Sequence, residues 1–164
     1  HGTVKMDVNY KRTKVEINSF YMGKTQVTNK EYCRYNPNYL NEGNDLPAVN
    51  LSWYEAVKYC NWLTMNSPNL SSKDCCYSGV PPDITCNISK KGYRIPTEAE
   101  WMYIFDKKES DKLDLTDIGD RVFQFGNGDN KTFFWCYSIS HGMYGHLSPE
   151  EKNNYTGLRL AKTA

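Results

Sequence analysis

Apolar residues recur along this chain with two different periods. Trp53, Ala56, Val57, Cys60 and Leu63 stand three or four positions apart, one stripe of an α-helix. That stripe puts Cys60 on a buried face, where packing explains it better than reactivity. Trp101, Ile104 and Phe105 repeat the spacing until the polar run "DKKESDK" ends it. Across "KVEINSFYMGKTQV" the period is two, with Val15, Ile17, Ser19 and Tyr21 in phase, and this predicts a strand. Near the end, "TGLRLAK" predicts a second short strand, entered through Gly157.

Each helical run is preceded by the same start signal. Thr28 to Glu31, Ser52 to Glu55 and Thr97 to Glu100 all have the form of a capping box. In it a hydroxyl takes an orphan backbone N–H, and the Glu three residues later reaches back. Val27 and Tyr32 stand at hydrophobic-staple spacing around the first box. The first helix is expected near 28–36, stopping before Pro37, because the residue ahead of a proline is pushed out of helical geometry. Glu98 and Glu100 fall in a first turn, where the helix dipole favours negative charge, so structure accounts for them without acid–base chemistry. The stretch at about 66–92, rich in Ser, Asn, Gly and Pro and holding three Cys, reads as a long loop or insertion. With no internal repeat and no linker, the pattern is that of one α+β domain over 1–164, with two main helices and short twisted antiparallel strands.

Charge narrows the partners. The net charge is +1 in 164 residues and no Lys/Arg run occurs, so nothing draws the chain to nucleic acid or an anionic membrane. No apolar run approaches the ~20 residues that cross a bilayer, and no direct membrane insertion is expected. The opening "HGTVKMDV" has no signal-peptide apolar region, although a removed export signal is compatible with it. Thirteen Tyr and four Trp accompany a mean hydropathy of −0.73. Such rings join an apolar body to a polar tip, which suits wet cores and contact surfaces alike.

Six Cys stand at 33, 60, 75, 76, 86 and 136, none in a C-x-x-C pair, which argues against a zinc knuckle or a thioredoxin-like motif. Cys75 or Cys76 paired with Cys86 would staple a short loop in an oxidising compartment; buried free thiols are the other reading. Five N-x-S/T sequons, at Asn50, Asn69, Asn87, Asn130 and Asn154, are what chance gives in so Asn-rich a chain. Asp45, Asp83 and Asp129 show no spacing that makes a calcium loop.

The stretch "KTFFWCYSISHGMYGH", residues 131–146, concentrates aromatics, Gly and His. Cys136, His141 and His146 offer three zinc-ligand types, and Cys with a nearby His is a nucleophile pair. Their C-x4-H-x4-H spacing matches no recognised zinc pattern, and no third group orients the pair. On an extended chain Phe134 and Cys136 share one face while Phe133, Trp135 and Tyr137 share the other. His141, Tyr144 and His146, interleaved with Gly142 and Gly145, read as loop residues of the kind that make antibody-like contact surfaces.

Four blocks then follow one another in a fixed order: "FYMGKTQVTNKEY", "LPAVNLSWYEAVKYCNWL", "GYRIPTEAEWMY" and a terminal "GLRLA". Together they resemble the formylglycine-generating enzyme (sulfatase-modifying factor) family, and the resemblance implies its divergent C-type-lectin-like fold. Two departures stand out. The family's block resembling "GNVWEW", which helps build its core and a calcium site, has no counterpart between Phe105 and Phe125. The family's oxidising members hold copper with a C-terminal cysteine pair, whereas this chain has Cys136 alone and Lys131 where a partner thiol would stand. One thiolate and an ammonium suit Cu(I) poorly.

The tail is most similar to the variable proteins of diversity-generating retroelements, in position, in its Asn/Tyr/Ser/His/Gly content and in its closing "GLRLA". That similarity implies a rigid scaffold displaying a segment at about 127–155, on a receptor or adhesin at the cell surface or outside the cell. A cytoplasmic or phage-borne protein is the other location it allows. The expectation is a non-enzymatic ligand-binding protein with no catalytic residue, cofactor or metal, whose partner is a protein or a cell-surface ligand. Its contact residues are expected to be Asn127, Asp129, Asn130, Phe133, Trp135, Tyr137, Ser140, His141, Tyr144, His146, Asn154 and Tyr155. The rival expectation is a metal-dependent oxidase acting on protein cysteine, with metal at Cys136 and His141 or His146.

Overall fold

A computed structural model describes residues 2–8, 11–106, 123–125, 134–138 and 143–164, the strands between 123 and 147 through their backbone register. Three α-helices are present: α1 (Asn29–Cys33), α2 (Trp53–Met65) and α3 (Glu98–Asp106). Eleven strands surround them among the described residues. They are β1 (Gly2–Val8), β2 (Lys11–Ile17), β3 (Phe20–Met22), β4 (Tyr77–Val80), β5 (Asp83–Cys86) and β6 (Tyr93–Arg94), then β7 (Phe123–Phe125), β8 (Phe134–Ser138), β9 (Met143–Leu147), β10 (Thr156–Gly157) and β11 (Ala161–Thr163).

All three capping boxes form. Thr28 Oγ1 accepts from Glu31 N at 3.2 Å, Ser52 Oγ from Glu55 N at 3.2 Å and Thr97 Oγ1 from Glu100 N at 3.2 Å, with each Glu carboxylate returning to the cap's backbone. The other orphan N–H groups of α1 are met by a loop. Asn29 N donates to Leu46 O and Lys30 N to Asn44 O, while the Asn29 side chain holds the carbonyls of Glu42 and Gly43. Helix α1 is shorter than the expected 28–36, since it ends at Cys33 and passes through turns to Pro37.

The α2 stripe lands in the main core as its spacing predicts. Trp53, Ala56, Val57, Tyr59 and Cys60 pack with Val27, Tyr32, Ala48, Leu51, Tyr77, Ile95 and Leu158. On the α1–α2 side lies an aromatic cluster of Tyr32, Tyr35, Tyr39, Tyr59 and Trp62, with ring centroids 4.8–5.9 Å apart. Part of the Tyr and Trp enrichment is therefore core.

Other expectations shift at their edges. The strand expected across 15–21 breaks at residues 18 and 19 into β2 and β3, and β2 instead pairs with β1 in a ribbon running from Gly2↔Ile17 to Val8↔Lys11. Its base is sealed by Ile17 against Ala99, Met102 and Tyr103 of α3. "TGLRLAK" is not one strand but two in different sheets, β10 and β11, separated by Leu158–Leu160. The 66–92 stretch is not irregular throughout: a 3-10 turn at Ser72–Asp74 precedes the β4–β5 hairpin. Gly79 of that hairpin has φ +95°, and a Cβ there would strike the Asp83 carbonyl, so glycine is required. Cys33, Cys60, Cys75 and Cys76 are free thiols, so neither Cys75 nor Cys76 is stapled to Cys86.

The chain's last strand is sewn into the middle of the order β3-β11-β6, with Ala161 opposite both Met22 and Arg94. Just before it, fully buried Arg159 donates to the Gly23 and Lys24 carbonyls and lies 5.6 Å from the Trp101 ring centroid. A fourth group of strands, in the order β10-β7-β8-β9, carries the segment of functional interest.

Candidate functional site

Strands β8 and β9 pair antiparallel with Trp135 opposite His146 and Tyr137 opposite Tyr144. Cross-strand partners share a face, and so do residues two apart on one strand. Trp135, Tyr137, Tyr144 and His146 therefore occupy one face of this hairpin, and Phe134, Cys136, Ser138, Met143, Gly145 and Leu147 the other. The row continues inward, because Gln124 of β7 stands opposite Tyr137 and Gly157 of β10 opposite Gln124.

Tyr144 and His146 are thus strand residues, a correction to their reading as loop. The many Gly and Ser positions of the segment hide the period-2 pattern that local sequence would have shown. Asn127, Asp129, Asn130, Phe133, Ser140 and His141 lie outside the described residues. Asn154 and Tyr155 stand in the connection from β9 to β10, both exposed, with Tyr155 N donating to Asn153 Oδ1 at 3.2 Å. Gln124, absent from the sequence reading, joins the face through register alone.

The register also bears on metal binding. Cys136 faces Gly145 across the ladder while His146 faces Trp135, so Cys136 and His146 fall on opposite faces of the hairpin. Among the described residues no three His, Cys, Asp or Glu side chains gather as a ligand set.

The connection at 148–155 is tied to the start of α2. Tyr54 N, one of that helix's orphan donors, reaches Pro149 O at a long 3.5 Å. Asn50 N donates to Asn153 O at 2.7 Å, from a residue whose φ of +59° is one Asn tolerates. Lys152 Nζ meets Glu55 Oε1 at 2.7 Å, while Glu55 Oε2 accepts from Ser52 N at 2.8 Å. Burial pushes the Glu55 carboxyl up, but its bonds to Lys152 and Ser52 outweigh that and hold it below its ordinary value. The Tyr54 phenol is raised by burial first, then by the charges of Glu150 and Asp83. No local pattern signals the Glu55–Lys152 pair, whose partners are 97 positions apart.

Several known proteins share this sequence or this architecture. The family described as "Sulfatase-modifying factor enzyme 1-like domain" matches residues 1–111, ending ahead of the β7–β9 segment. "Chaperone protein LppX" of Paenibacillus barcinonensis is 30% identical over 108 residues, covering 57% of this chain and 38% of its own length. The chain thus spans little more than a third of that relative. Among solved structures, Treponema denticola variable protein 1 superposes with a TM-score of 0.70 at 18% identity, over 99% of this chain and 92% of that one. CarF superposes with a TM-score of 0.69 at 17% identity, over 100% of this chain and 94% of its own. Both likenesses carry the fold, which is α+β and C-type-lectin-like.

Proposed function

Because the chain belongs to the sulfatase-modifying factor enzyme 1-like domain family, we propose that it is a non-enzymatic, ligand-binding member that displays its C-terminal segment as a contact surface. The carrying observation is the register that sets Trp135, Tyr137, Tyr144 and His146 on one face. Large rings on a paired strand give contact area at low entropic cost, and such anchors dominate binding energy. Fully buried Thr156 stands opposite Phe123, so Phe123, Phe125 and Cys136 share its face. We assign that face to the core and the Trp135 face to the ligand.

The partner is a protein or a cell-surface ligand, and the place of action the cell surface or the exterior. The fold shared with a variable protein and the relative named a chaperone both fit a protein partner. We further assign the contact set Asn127, Asp129, Asn130, Phe133, Ser140, His141, Asn154 and Tyr155 alongside the four strand residues. Diversification of this tail by a retroelement completes the reading. Sister copies of the gene test it: they should agree up to about residue 125 and differ mainly beyond it, and uniform tails would remove the idea.

Trp135→Ala and Tyr144→Ala test the face. A contact role leaves stability nearly unchanged and abolishes binding, whereas a core role costs about 3–5 kcal/mol. The family's name keeps the oxidase as the second reading. Metal analysis of the purified chain beside Cys136→Ser decides between them, since stoichiometric copper, iron or zinc lost in the variant would overturn binding alone.

A further inference from the structure

We propose that Glu55 and Lys152 are positioning residues for the displayed sheet, acting through a brace that joins its two borders to the start of α2. The proposal rests on the contact-surface reading above. In the order β10-β7-β8-β9, strands β9 and β10 are the outer members, and the chain from Leu147 to Thr156 runs from one to the other. That crossing covers three strand spacings, ~14 Å. Residues 148–155 have a full extension of roughly 27 Å. The connection therefore has slack, and its path is set by where it is attached rather than by its length.

Its attachments converge on one place. Pro149 O takes Tyr54 N, Asn153 O takes Asn50 N, and Lys152 pairs with Glu55, all within the chain that starts α2. A turn closed by Glu151 N on Ser148 O shapes the start of this connection. Helix α2 is itself fixed, with Trp53, Ala56 and Val57 buried in the main core. Two of these attachments are backbone bonds that many sequences would make. Lys152–Glu55 depends on side-chain identity. The Glu55 carboxylate is already oriented by capping Ser52, so pairing with Lys152 costs little extra order. With the partners 51% and 33% exposed, the pair is open to salt.

Residue-resolved hydrogen exchange on the full chain is the test, comparing wild type with Lys152→Met and Lys152→Arg. Lys152→Met should speed exchange in Met143–Leu147 and Thr156–Gly157 about two- to fivefold, in line with a modest exposed pair. The interior amides of α2 and the unfolding temperature should not move. Lys152→Arg should restore protection, and ~0.5 M salt should bring wild type to the Lys152→Met level while leaving that variant unchanged. Unaltered exchange in both outer strands, or acceleration spread evenly over the molecule, would overturn the proposal. Because the measurement needs no ligand, it can fail while the Trp135 and Tyr144 variants still uphold the contact face, or succeed while they do not.

Discussion

Arg94 and Glu100 meet in a two-pronged ion pair, Nη1 to Oε2 at 2.7 Å and Nη2 to Oε1 at 2.6 Å, with both residues buried. The same Glu100 caps α3 through Thr97, and Arg94 Nη2 also reaches Thr163 Oγ1 on the last strand at 3.3 Å. One carboxylate thus links a helix start, β6 and β11. Arg94→Met leaves a buried carboxylate without its charge partner and should cost about 3–5 kcal/mol. Adding Glu100→Gln should recover part of that loss, because neighbours in one network are not additive. Urea unfolding of the two singles and the double measures the coupling.

Ser52→Ala should destabilise by about 1 kcal/mol, the ordinary cost of losing a cap. Glu55, held below its ordinary 4.5, contributes stability that is present above that value and lost as pH falls through its lower folded value. The contribution is small, since the carboxylate is partly exposed. Acid unfolding of Glu55→Gln beside wild type should show a slightly flatter fall below about pH 4.5.

Alkali should act more strongly. Burial pushes the Cys76 thiol up to about 11, and raises Cys60 and Tyr77 well above their ordinary values, with nearby thiols adding in each case. Groups raised in the folded state give stability that is whole below their unfolded values and is lost as pH rises through the folded ones. Stability should therefore decline from about pH 9 upward, and Cys76→Ala should remove part of that slope. At pH 8 Cys60 and Cys76 should resist alkylation until denaturant is added, which mass mapping will read directly.

Leu158 is fully buried in the main core between two short strands that belong to different sheets. Leu158→Ala should cost about 2–5 kcal/mol through lost burial and the cavity left behind. Thermal unfolding detects it as a clear fall in midpoint.

Local features were legible in the sequence and distant ones were not. The capping boxes need only four consecutive residues, and the α2 stripe only its own period, so both could be read before any fold was known. Arg94 looked like part of a motif, but its partner and its burial depend on tertiary approach. The β4–β5 hairpin hid inside a stretch whose Ser, Gly and Pro content reads as loop. Tyr144 and His146 were hidden for a related reason, since Gly145 between them leaves no side chain to mark alternation. The family's blocks supplied the fold where periodicity alone would have stopped at α+β.

Arg159 over the Trp101 ring has a consequence for everything between them. That contact, with the Gly23 and Lys24 carbonyls behind it, pins both ends of the chain from α3 to the closing strand. For any flexible segment held between two such fixed points, the entropy of closing a loop rises only with the logarithm of its length. Doubling that length would cost about 0.6 kcal/mol, less than one missing helix cap. On the contact-surface reading, a scaffold tied off in this way could take a flexible insertion in its displayed segment at little expense to the fold.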